Sequence, residues 1–576
     1  MQTSASQSSP KHPASILWQL ISPDISFFKV AITYSIAISL LTLAVPIAVQ
    51  TMVNTLVNIA SLRAIIILSI LLLVTLLLSA GLSALRTRTM EYFERRIYAR
   101  LTAEVSLYTI YARHEYFAGR RNTDITNRYF DIVILQKNIP FLLVDGFALA
   151  LQVLVGFTLV SVYHPILLLF NVAVVSIAFL FWKLWGGKAT ASAVELSHSK
   201  YEMSKWLDSL AYANEFFKST RHIDYALGQT DALTERYVKD HQQHFKYTFS
   251  QTVGFLLLYA ISSAGLLLLG GWLVIIGQLS LGQLIAAELI LAAILFGLSK
   301  TTDYLKSYYE MCGAADELGQ VFDIPQESIE QNDHRGSSGN ALIFDDVVVN
   351  SNNSEHRFNF SLPENAKILV AAENASIHYT IIHLLKCNIH PLKGSIQLAD
   401  SDLDDFDVYH LRQDVVVIDR APIIECTIED YLRMSKPGAS SVEVRSVLDQ
   451  INILDDIEKL PKALQTMLSP LGDPLSPASF LQLKLAAALL TQPKVLVLTQ
   501  FFDILTGESL NKSLSAISQL PVTLLFFSSL EHSPFFTHRL ILGEKTQTLL
   551  DDSHPDTVES TYSNLDQSEM TDVKTL

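Results

Sequence analysis

The sequence predicts an all-α membrane domain with six spans, followed by an α/β domain. Of its 576 residues, 49% are hydrophobic and only 17% are charged, which is too apolar for a soluble chain of this size. The apolar residues collect in the first 300 positions, in runs long enough to cross ~30 Å of hydrocarbon. After residue 340, short β-rich runs alternate with helical segments. This alternation is typical of an α/β domain with a mostly parallel sheet.

Six long, predominantly apolar runs are predicted to span the membrane. They lie near residues 29–50, 64–84, 140–162, 165–185, 252–277 and 280–299. Pro46, inside the first run, is expected to kink that helix because proline lacks a backbone N–H donor. Most basic residues of this half fall between the second and third runs and between the fourth and fifth. Because positively charged connections stay inside, we expect a multi-pass protein of the inner (plasma) membrane with the second domain and both termini in the cytoplasm.

The two basic connections are predicted to be helical extensions of the spans. They show helical periodicity and contain little glycine or proline. A helical arm of about 27 residues reaches roughly 40 Å, and each pair of arms must turn at a tip. The tips are expected near residues 116–126 and 207–217. Such tips could dock on a cytoplasmic domain, and the alternative is a pair of solvated hairpins without a partner.

Composition divides the chain into five segments. They are a polar N-terminal tail at 1–14, a membrane domain at 15–315, a linker at 316–340, an α/β domain at 341–548 and an acidic tail at 549–576. The tail is expected to be disordered because it is polar and has few apolar residues to bury. No sizeable domain precedes the first span, so an appended leader peptidase is not expected.

Charge and cysteine usage argue against nucleic-acid and metal sites. The formal net charge is −15, whereas binding to a phosphate backbone requires a basic face. The three cysteines, Cys312, Cys387 and Cys426, lack a CxxC spacing and have no histidine neighbours arranged as ligands. We therefore expect reduced thiols, no metal site and no nucleic-acid partner.

Four segments follow one another in the second half: LKGSI at 392–396, LRQDVVVI at 411–418, TIEDYL at 427–432 and LSPASFLQLKLAAALLTQPKVLVL at 475–498. Their order resembles that of the nucleotide-binding domain of ABC transporters, which is P-loop NTPase-like. The membrane half, with a proline in its first span and LSLGQLIAAELIL opening its last, is similar to the type I exporter membrane domain. The resemblance covers nearly the whole chain and implies a half-transporter with fused membrane and nucleotide-binding domains.

The resemblance places the phosphate loop at AENASIHYT, residues 372–380, where the family has GxxGxGKST. Three glycines, which allow positive φ and close approach to phosphate oxygens, are replaced. Their positions are occupied by Ala372, Ala375 and Ile377. His378 replaces the lysine that meets the terminal phosphates, Tyr379 replaces the magnesium-binding hydroxyl, and Thr380 is retained. An ordinary strand-to-helix turn that binds nothing is the alternative interpretation of this segment.

The other functional positions implied by the resemblance have also changed. Thr499 and Gln500 stand where the family has the metal-linked aspartate and the water-orienting glutamate, Arg420 stands for the Q-loop glutamine, and Ser529 for the switch histidine. The signature LSGGQ reads Leu475, Ser476, Pro477, Ala478 and Ser479. No aromatic residue lies near Asn350 and Ser351, where an adenine-stacking ring is expected. No catalytic residue is therefore intact, autonomous ATP hydrolysis is not expected, and ATP with magnesium is bound weakly if at all.

Three functions agree with these features. The leading hypothesis is a catalytically impaired half-transporter, type I secretion-like, that supports export of a substrate such as a peptide or protein. Its partner is a second copy or an intact ABC half-transporter, and a periplasmic adaptor is a further candidate. The alternatives are a non-transporting membrane scaffold or regulator of a secretion complex, and an ATP-driven exporter with altered nucleotide chemistry.

Overall fold

A computed structural model describes residues 13–58, 62–117, 124–327, 339–351, 354–529 and 534–551. The chain divides into two compact units, Met1–Glu327 and Ser328–Leu576. Residues 328–338 of the linker predicted at 316–340, and residues 552–576 of the tail predicted at 549–576, lie outside the described residues. The domain boundaries inferred from composition stay predictions.

The first unit is entirely helical. Its helices are α1 Pro13–Ile21, α2 Ile25–Leu41, α3 Ala44–Asn58, α4 Leu62–Ile110, α5 His114–Phe117, α6 Asp124–Pro140, α7 Phe147–Tyr163, α8 Pro165–Tyr212, α9 Thr220–Ile275, α10 Leu281–Ser299 and α11 Thr301–Phe322. Six helical stretches in the described residues are long and apolar enough to cross a membrane. This confirms the predicted six-span membrane domain.

The first span is broken in its middle, as the proline predicted. Helix α2 ends at Leu41, two residues form a turn, and α3 begins at Ala44. Pro46 lies in the first turn of α3, where its missing N–H has no helical partner to lose. Its ring would collide with the carbonyl of Thr42 in a continuous helix, so the break falls at that residue.

Three helices continue far beyond the length that a bilayer requires. Helices α4, α8 and α9 contain 49, 48 and 56 residues. At 1.5 Å per residue, 48 residues extend about 72 Å, more than twice the ~30 Å hydrocarbon core. The turn between α8 and α9 lies at residues 213–219 and overlaps the predicted second tip, whereas residues 118–123 of the first tip lie outside the described residues.

The last helix of this unit extends further than the sequence indicated. Helix α11 continues to Phe322, although a linker was predicted to begin at residue 316. Leu318 and Val321 are fully buried and extend the apolar face of Ala314 and Ala315 by another turn. Apolar residues at this spacing favour a helix that packs on its neighbours.

A buried aspartate joins the N-terminal helix pair to α4. Asp24, 1% exposed, accepts hydrogen bonds from Nε of Arg96 (3.0 Å) and Nε of Arg100 (3.0 Å). Arg100 also donates to the carbonyl oxygen of Leu20 at 2.6 Å. The carboxylate is thus paired and hydrogen-bonded, as a buried charge requires.

The second unit is an α/β domain with twelve strands and seven helices in its described residues. The strands are β1 Leu342–Ser351, β2 Ser354–Leu362, β3 Lys367–Ala372, β4 Lys393–Leu398, β5 Ser401–Asp402, β6 Val415–Ile418, β7 Cys426–Thr427, β8 Met467–Leu468, β9 Val495–Leu498, β10 Thr523–Phe527, β11 His538–Leu542 and β12 Gln547–Asp551. The helices are α12 Ala375–Leu385, α13 Val408–Asp414, α14 Ile428–Ser435, α15 Ser441–Gln450, α16 Leu454–Glu458, α17 Pro477–Thr491 and α18 Gly507–Ser518.

Its larger sheet has the order β12-β11-β3-β10-β9-β6, in which only β12 is antiparallel to its neighbour. A smaller antiparallel sheet has the order β2-β1-β4-β5. Strands β9 and β10 are buried at every position, which explains their continuous apolar runs. The mostly parallel sheet confirms the predicted fold class of this half.

Candidate functional site

The positions assigned to nucleotide handling lie mainly along one edge of the larger sheet. The neighbouring parallel strands β3, β10, β9 and β6 end at Ala372, Phe527, Leu498 and Ile418. Carboxyl ends of parallel strands share an edge, where ligands of α/β proteins bind. The fold therefore brings together the loop that follows β3 and the sites of Ser529, Gln500 and Arg420. The signature residues lie elsewhere, at the start of α17.

The turn at the phosphate-loop position is capped by its own side chain. Asn374 precedes α12, and its Oδ1 accepts a hydrogen bond from the N–H of Ile377 at 3.0 Å. Ile377 is fully buried in the core below. Free N–H groups at a helix start are what makes such a turn attractive to phosphate. Here one of those donors is already used, and the side chain of Asn374 occupies the space beside it.

Two carboxylates flank the same turn. Glu373 accepts a hydrogen bond from the N–H of Glu544 at 3.3 Å, and its own N–H donates to the carbonyl oxygen of Leu542 at 2.9 Å. Asn374 donates through Nδ2 to the carboxylate of Glu544 at 3.4 Å. The negative charges of Glu373 and Glu544 beside the turn oppose the approach of a phosphate group.

His378 is neutral and packed on an aromatic ring. Its imidazole stacks on Phe527 with ring centroids 4.0 Å apart. Burial lowers the pKa of His378 from 6.5 to about 4. Its Nε2 is buried and has no hydrogen-bond partner among the described residues. A neutral ring in this position does not provide the cation that a terminal phosphate requires.

The lowered pKa of His378 predicts an acid-dependent loss of stability. Above pH 6.5 the ring is neutral in both the folded and unfolded states. As the pH falls from 6.5 towards 4, the unfolded chain takes up a proton that the folded chain does not, so stability decreases by about 2 kcal/mol after allowance for partial exposure. The thermal midpoint of the purified chain should therefore fall more steeply over this range than that of His378→Phe, which keeps the ring stack. Parallel curves for the two proteins would contradict this assignment.

The two hydroxyl residues after His378 differ in exposure. Tyr379 is 43% exposed and its ring lies 3.9 Å from that of His383. Thr380 is fully buried, and its Oγ1 has no hydrogen-bond partner among the described residues. The retained threonine is thus removed from solvent, whereas the bulkier phenol reaches the surface.

The end of β9 carries an amide and a hydroxyl in place of acids. Thr499 is 3% exposed and donates through Oγ1 to the carbonyl oxygen of Ile418 at 2.8 Å. Gln500 follows it at the surface. The guanidinium of Arg420 lies 5.1 Å from the ring centre of Phe501, a cation–π contact. Amide and hydroxyl side chains supply neither a general base nor the charge that holds magnesium in phosphoryl transfer.

Asp503 is the first acidic residue after β9, and its carboxylate is hydrogen-bonded to the two residues that follow β10. Asp503 accepts hydrogen bonds from Oγ of Ser528 (2.6 Å) and from the N–H and Oγ of Ser529 (3.2 Å each). Sequence reasoning missed this clamp, because nothing in the spacing of Asp503 and Ser529 indicates that they meet. The contact becomes visible only when β9 and β10 are placed side by side.

The signature position is also capped from within. Ser476 precedes α17 and accepts a hydrogen bond from the N–H of Ser479 at 3.0 Å. Ser479 donates to the carboxylate of Asp456 at 3.3 Å. Pro477 removes a further donor from the first turn, and Ala478 packs partly against the core beside it. The start of α17 therefore presents few free donors to an incoming phosphate.

The membrane unit contains a large apolar crevice. Its volume is about 970 Å³, and it lies between α7, the start of α8 and the start of α11. Most of its lining is aliphatic, and its polar groups are neutral; they include Thr158, Ser161, Asn171, Thr301 and Tyr304. Such a crevice suits an apolar, uncharged segment.

The chain combines a six-span membrane unit that has long helical arms with an α/β unit, and both known sequences and solved structures resemble it. Residues 28–299 match the family described as the ABC transporter transmembrane region. The fold is that of a solved bacterial Atm1-family ABC exporter with ATP bound, with a TM-score of 0.81 and 16% identity over 93% of this chain and 97% of that one. The predicted fold class is confirmed.

Curated relatives include bacterial transport/processing ATP-binding proteins. The chain is 24% identical to the lactococcin-A transport/processing ATP-binding protein of Lactococcus lactis over 77% of its length, and covers 64% of that protein. It is 25% identical over 51% of its length to the transport/processing ATP-binding protein ComA of Streptococcus pneumoniae, and covers 40% of that protein. The chain thus spans less than two thirds of the length of these relatives.

Proposed function

We propose that this chain is a noncatalytic half-transporter that supports export of a peptide or protein as one subunit of a membrane dimer. The single observation that carries the proposal is the state of the phosphate-loop turn, where Asn374 caps the helix start and His378 is half-buried and neutral. The exporter fold is retained, but a backbone N–H group that the turn could offer to phosphate is already hydrogen-bonded to the side chain of Asn374. The chain then contributes spans and arms, while the energy for transport comes from elsewhere.

The loss of several catalytic groups at once supports this interpretation. Removing a single preorganised group typically lowers a rate by about 10²- to 10³-fold. At the strand end, Thr499 and Gln500 provide no carboxylate, and at the signature Pro477 removes a backbone donor. The effects of these losses are not additive, but each is expected to lower the rate of ATP hydrolysis.

Pairing determines what chemistry remains. In ABC exporters each ATP site combines the phosphate loop of one subunit with the signature of the other. A dimer of two copies of this chain would contain two incomplete sites. With an intact half-transporter, one site would combine a working phosphate loop with Pro477 and Ala478, and the other would combine His378 with a working signature. We favour the intact partner, because it alone leaves one competent phosphate loop to power export.

The relatives and the membrane unit support a proposal for the substrate and the location. One relative is named as a transport/processing protein for lactococcin-A, and we propose that this chain likewise supports export of a peptide or protein. The crevice between α7, α8 and α11 is apolar and neutral, which suits an uncharged stretch of such a peptide. The basic connections favour an inner-membrane protein with the α/β unit in the cytoplasm, and a periplasmic adaptor would receive the substrate.

The test is ATP turnover and nucleotide binding by the purified full-length chain in lipid nanodiscs. We expect turnover at least about 10³-fold below that of the intact lactococcin exporter measured in parallel, and no shift of the thermal midpoint with magnesium and ATP. Deleting the chain should abolish export of its substrate by cells that retain the partner.

Two outcomes would contradict the proposal. Rapid, magnesium-dependent turnover by the pure chain would show that its own site is competent. Unchanged export after deletion, with envelope proteins still copurifying with the chain, would favour the scaffold or regulator alternative.

A further inference from the structure

We infer that Lys484 fixes the segment 419–421 in one position without nucleotide, so that the edge of the larger sheet and the helical part, α14 to α17, form one rigid body. The inference rests on the proposed function, because a domain that does not cycle with ATP needs another source of a defined conformation. Lys484 acts here as a positioning residue and takes no part in chemistry.

Lys484 lies in the middle of α17 and is 9% exposed. Its Nζ donates to the carbonyl oxygens of Asp419 (2.9 Å) and Ala421 (2.6 Å). The carboxylate of Asp419 lies 3.7 Å from the same nitrogen. Two of the three donors of the ammonium group are thus hydrogen-bonded to backbone carbonyl groups, and the Asp419 carboxylate adds an ion-pair contact. The side chain therefore ties the helix to the backbone that leaves β6.

The surroundings of Lys484 make this link costly to break. Its neighbours Leu483 and Leu485 are fully buried, and the ring of Phe480 lies 4.9 Å from Nζ. Burial lowers the pKa of Lys484, and Asp419 works in the opposite direction. A buried ammonium that loses its acceptors is strongly unfavourable, so the 419–421 backbone cannot move away while Lys484 stays in place.

The same segment is held from its other side and from further along the chain. Thr499 donates to the carbonyl oxygen of Ile418 through both Oγ1 (2.8 Å) and N–H (3.1 Å). Arg420 stacks on Phe501. The N–H of Ile423 donates to the carbonyl oxygen of Pro470 at 2.9 Å. Contacts at nearly every position from 418 to 423 thus bracket the segment.

The position of the segment gives these contacts a mechanical consequence. Residues 419–425 lead from the carboxyl end of β6 into β7 and then α14, so they connect the sheet to the helical part. A hinge requires a few connecting residues that can change their backbone angles. With its carbonyl groups fixed by α17, this connection cannot serve as a hinge. The helical part consequently keeps one orientation relative to the sheet.

The test is amide hydrogen exchange of the full-length chain in nanodiscs. In the unchanged protein, the amides of Ala421 and Ile423, which donate to Asp419 and Pro470, should exchange slowly and should not respond to magnesium and ATP. In Lys484→Met, exchange there should increase about tenfold or more, while the β1–β2 hairpin stays unchanged. The matched control is Lys494→Met, which removes a lysine paired with Asp414 at 2.6 Å at the opposite edge of the sheet and should leave 419–425 unaffected.

Each outcome decides the inference. Unchanged exchange at 419–425 in folded Lys484→Met would overturn it, and so would an equal increase throughout the α/β unit, which indicates general destabilisation. If Lys484→Met does not fold, Lys484→Gln replaces it under the same criteria, because its shorter, uncharged side chain does not extend as far towards the two carbonyl groups as lysine does. ATP turnover by the pure chain would contradict the proposed function and leave this exchange pattern as it is, so the two failures can be distinguished.

Discussion

ATP turnover is expected to stay at background when His378 is changed to lysine and Gln500 to glutamate in the same chain. The two changes restore the residue types that the family uses, but not the surroundings that they require. Asn374 still caps the turn at 3.0 Å, and Ala372 and Ala375 still narrow it. A new lysine would also replace a ring that packs 4.0 Å from Phe527. The measurement is phosphate release by each purified variant.

Reverse changes in an intact exporter provide the matched control. Lysine to histidine and glutamate to glutamine there should each lower turnover by about 10²-fold or more, since the surrounding site is complete. Adding Asn374→Gly and Pro477→Gly to the double variant separates the contribution of the turn from that of the side chains. Strong turnover by the double variant alone would show that the surroundings do not limit the reaction.

Replacing Asp24 by alanine is expected to destabilise the folded membrane unit by about 3 kcal/mol. Asp24 is 1% exposed and pairs with Arg96 and Arg100, and Arg100 is itself only 18% exposed. Removal of the acid leaves a largely buried guanidinium with reduced compensation. The yield of monodisperse protein and its thermal midpoint in detergent report the loss.

Glu91→Ala is the control for this second prediction. Glu91 pairs with Arg95 at 2.7 Å, but the two side chains are 57% and 78% exposed, so the loss should be below about 0.5 kcal/mol. Equal behaviour of the two variants would mean that the Asp24 cluster adds no more than a surface ion pair.

Hydropathy and helix breakers carry most of the information about the membrane unit. Long apolar runs predicted the six spans because a bilayer tolerates few alternatives to a long apolar helix. Pro46 predicted a kink in the first span, and the structure places an interruption of the helix at residues 42 and 43, because the proline clash is local. In the α/β unit, the apolar runs of the fully buried strands β9 and β10 were also predicted as strands from the sequence.

Contacts between distant segments could not be read from the sequence. The meeting of Asp503 with Ser529, and of Lys484 with the backbone at 419–421, depends on which strands and helices become neighbours. Two signals were nevertheless present. An asparagine before an apolar helix, as at Asn374, is typical of an N-cap, and a lone charge in an apolar run, as at Lys484, indicates a buried partner.

Because α9 is long, a small tilt of the helix at one end displaces its other end by a large distance. Its 56 residues form a rod of about 84 Å, so a tilt of about 5° at one end displaces the other by about 7 Å. A subunit of the kind proposed above, which does not hydrolyse ATP, could therefore still transmit a movement that a neighbouring subunit imposes on it.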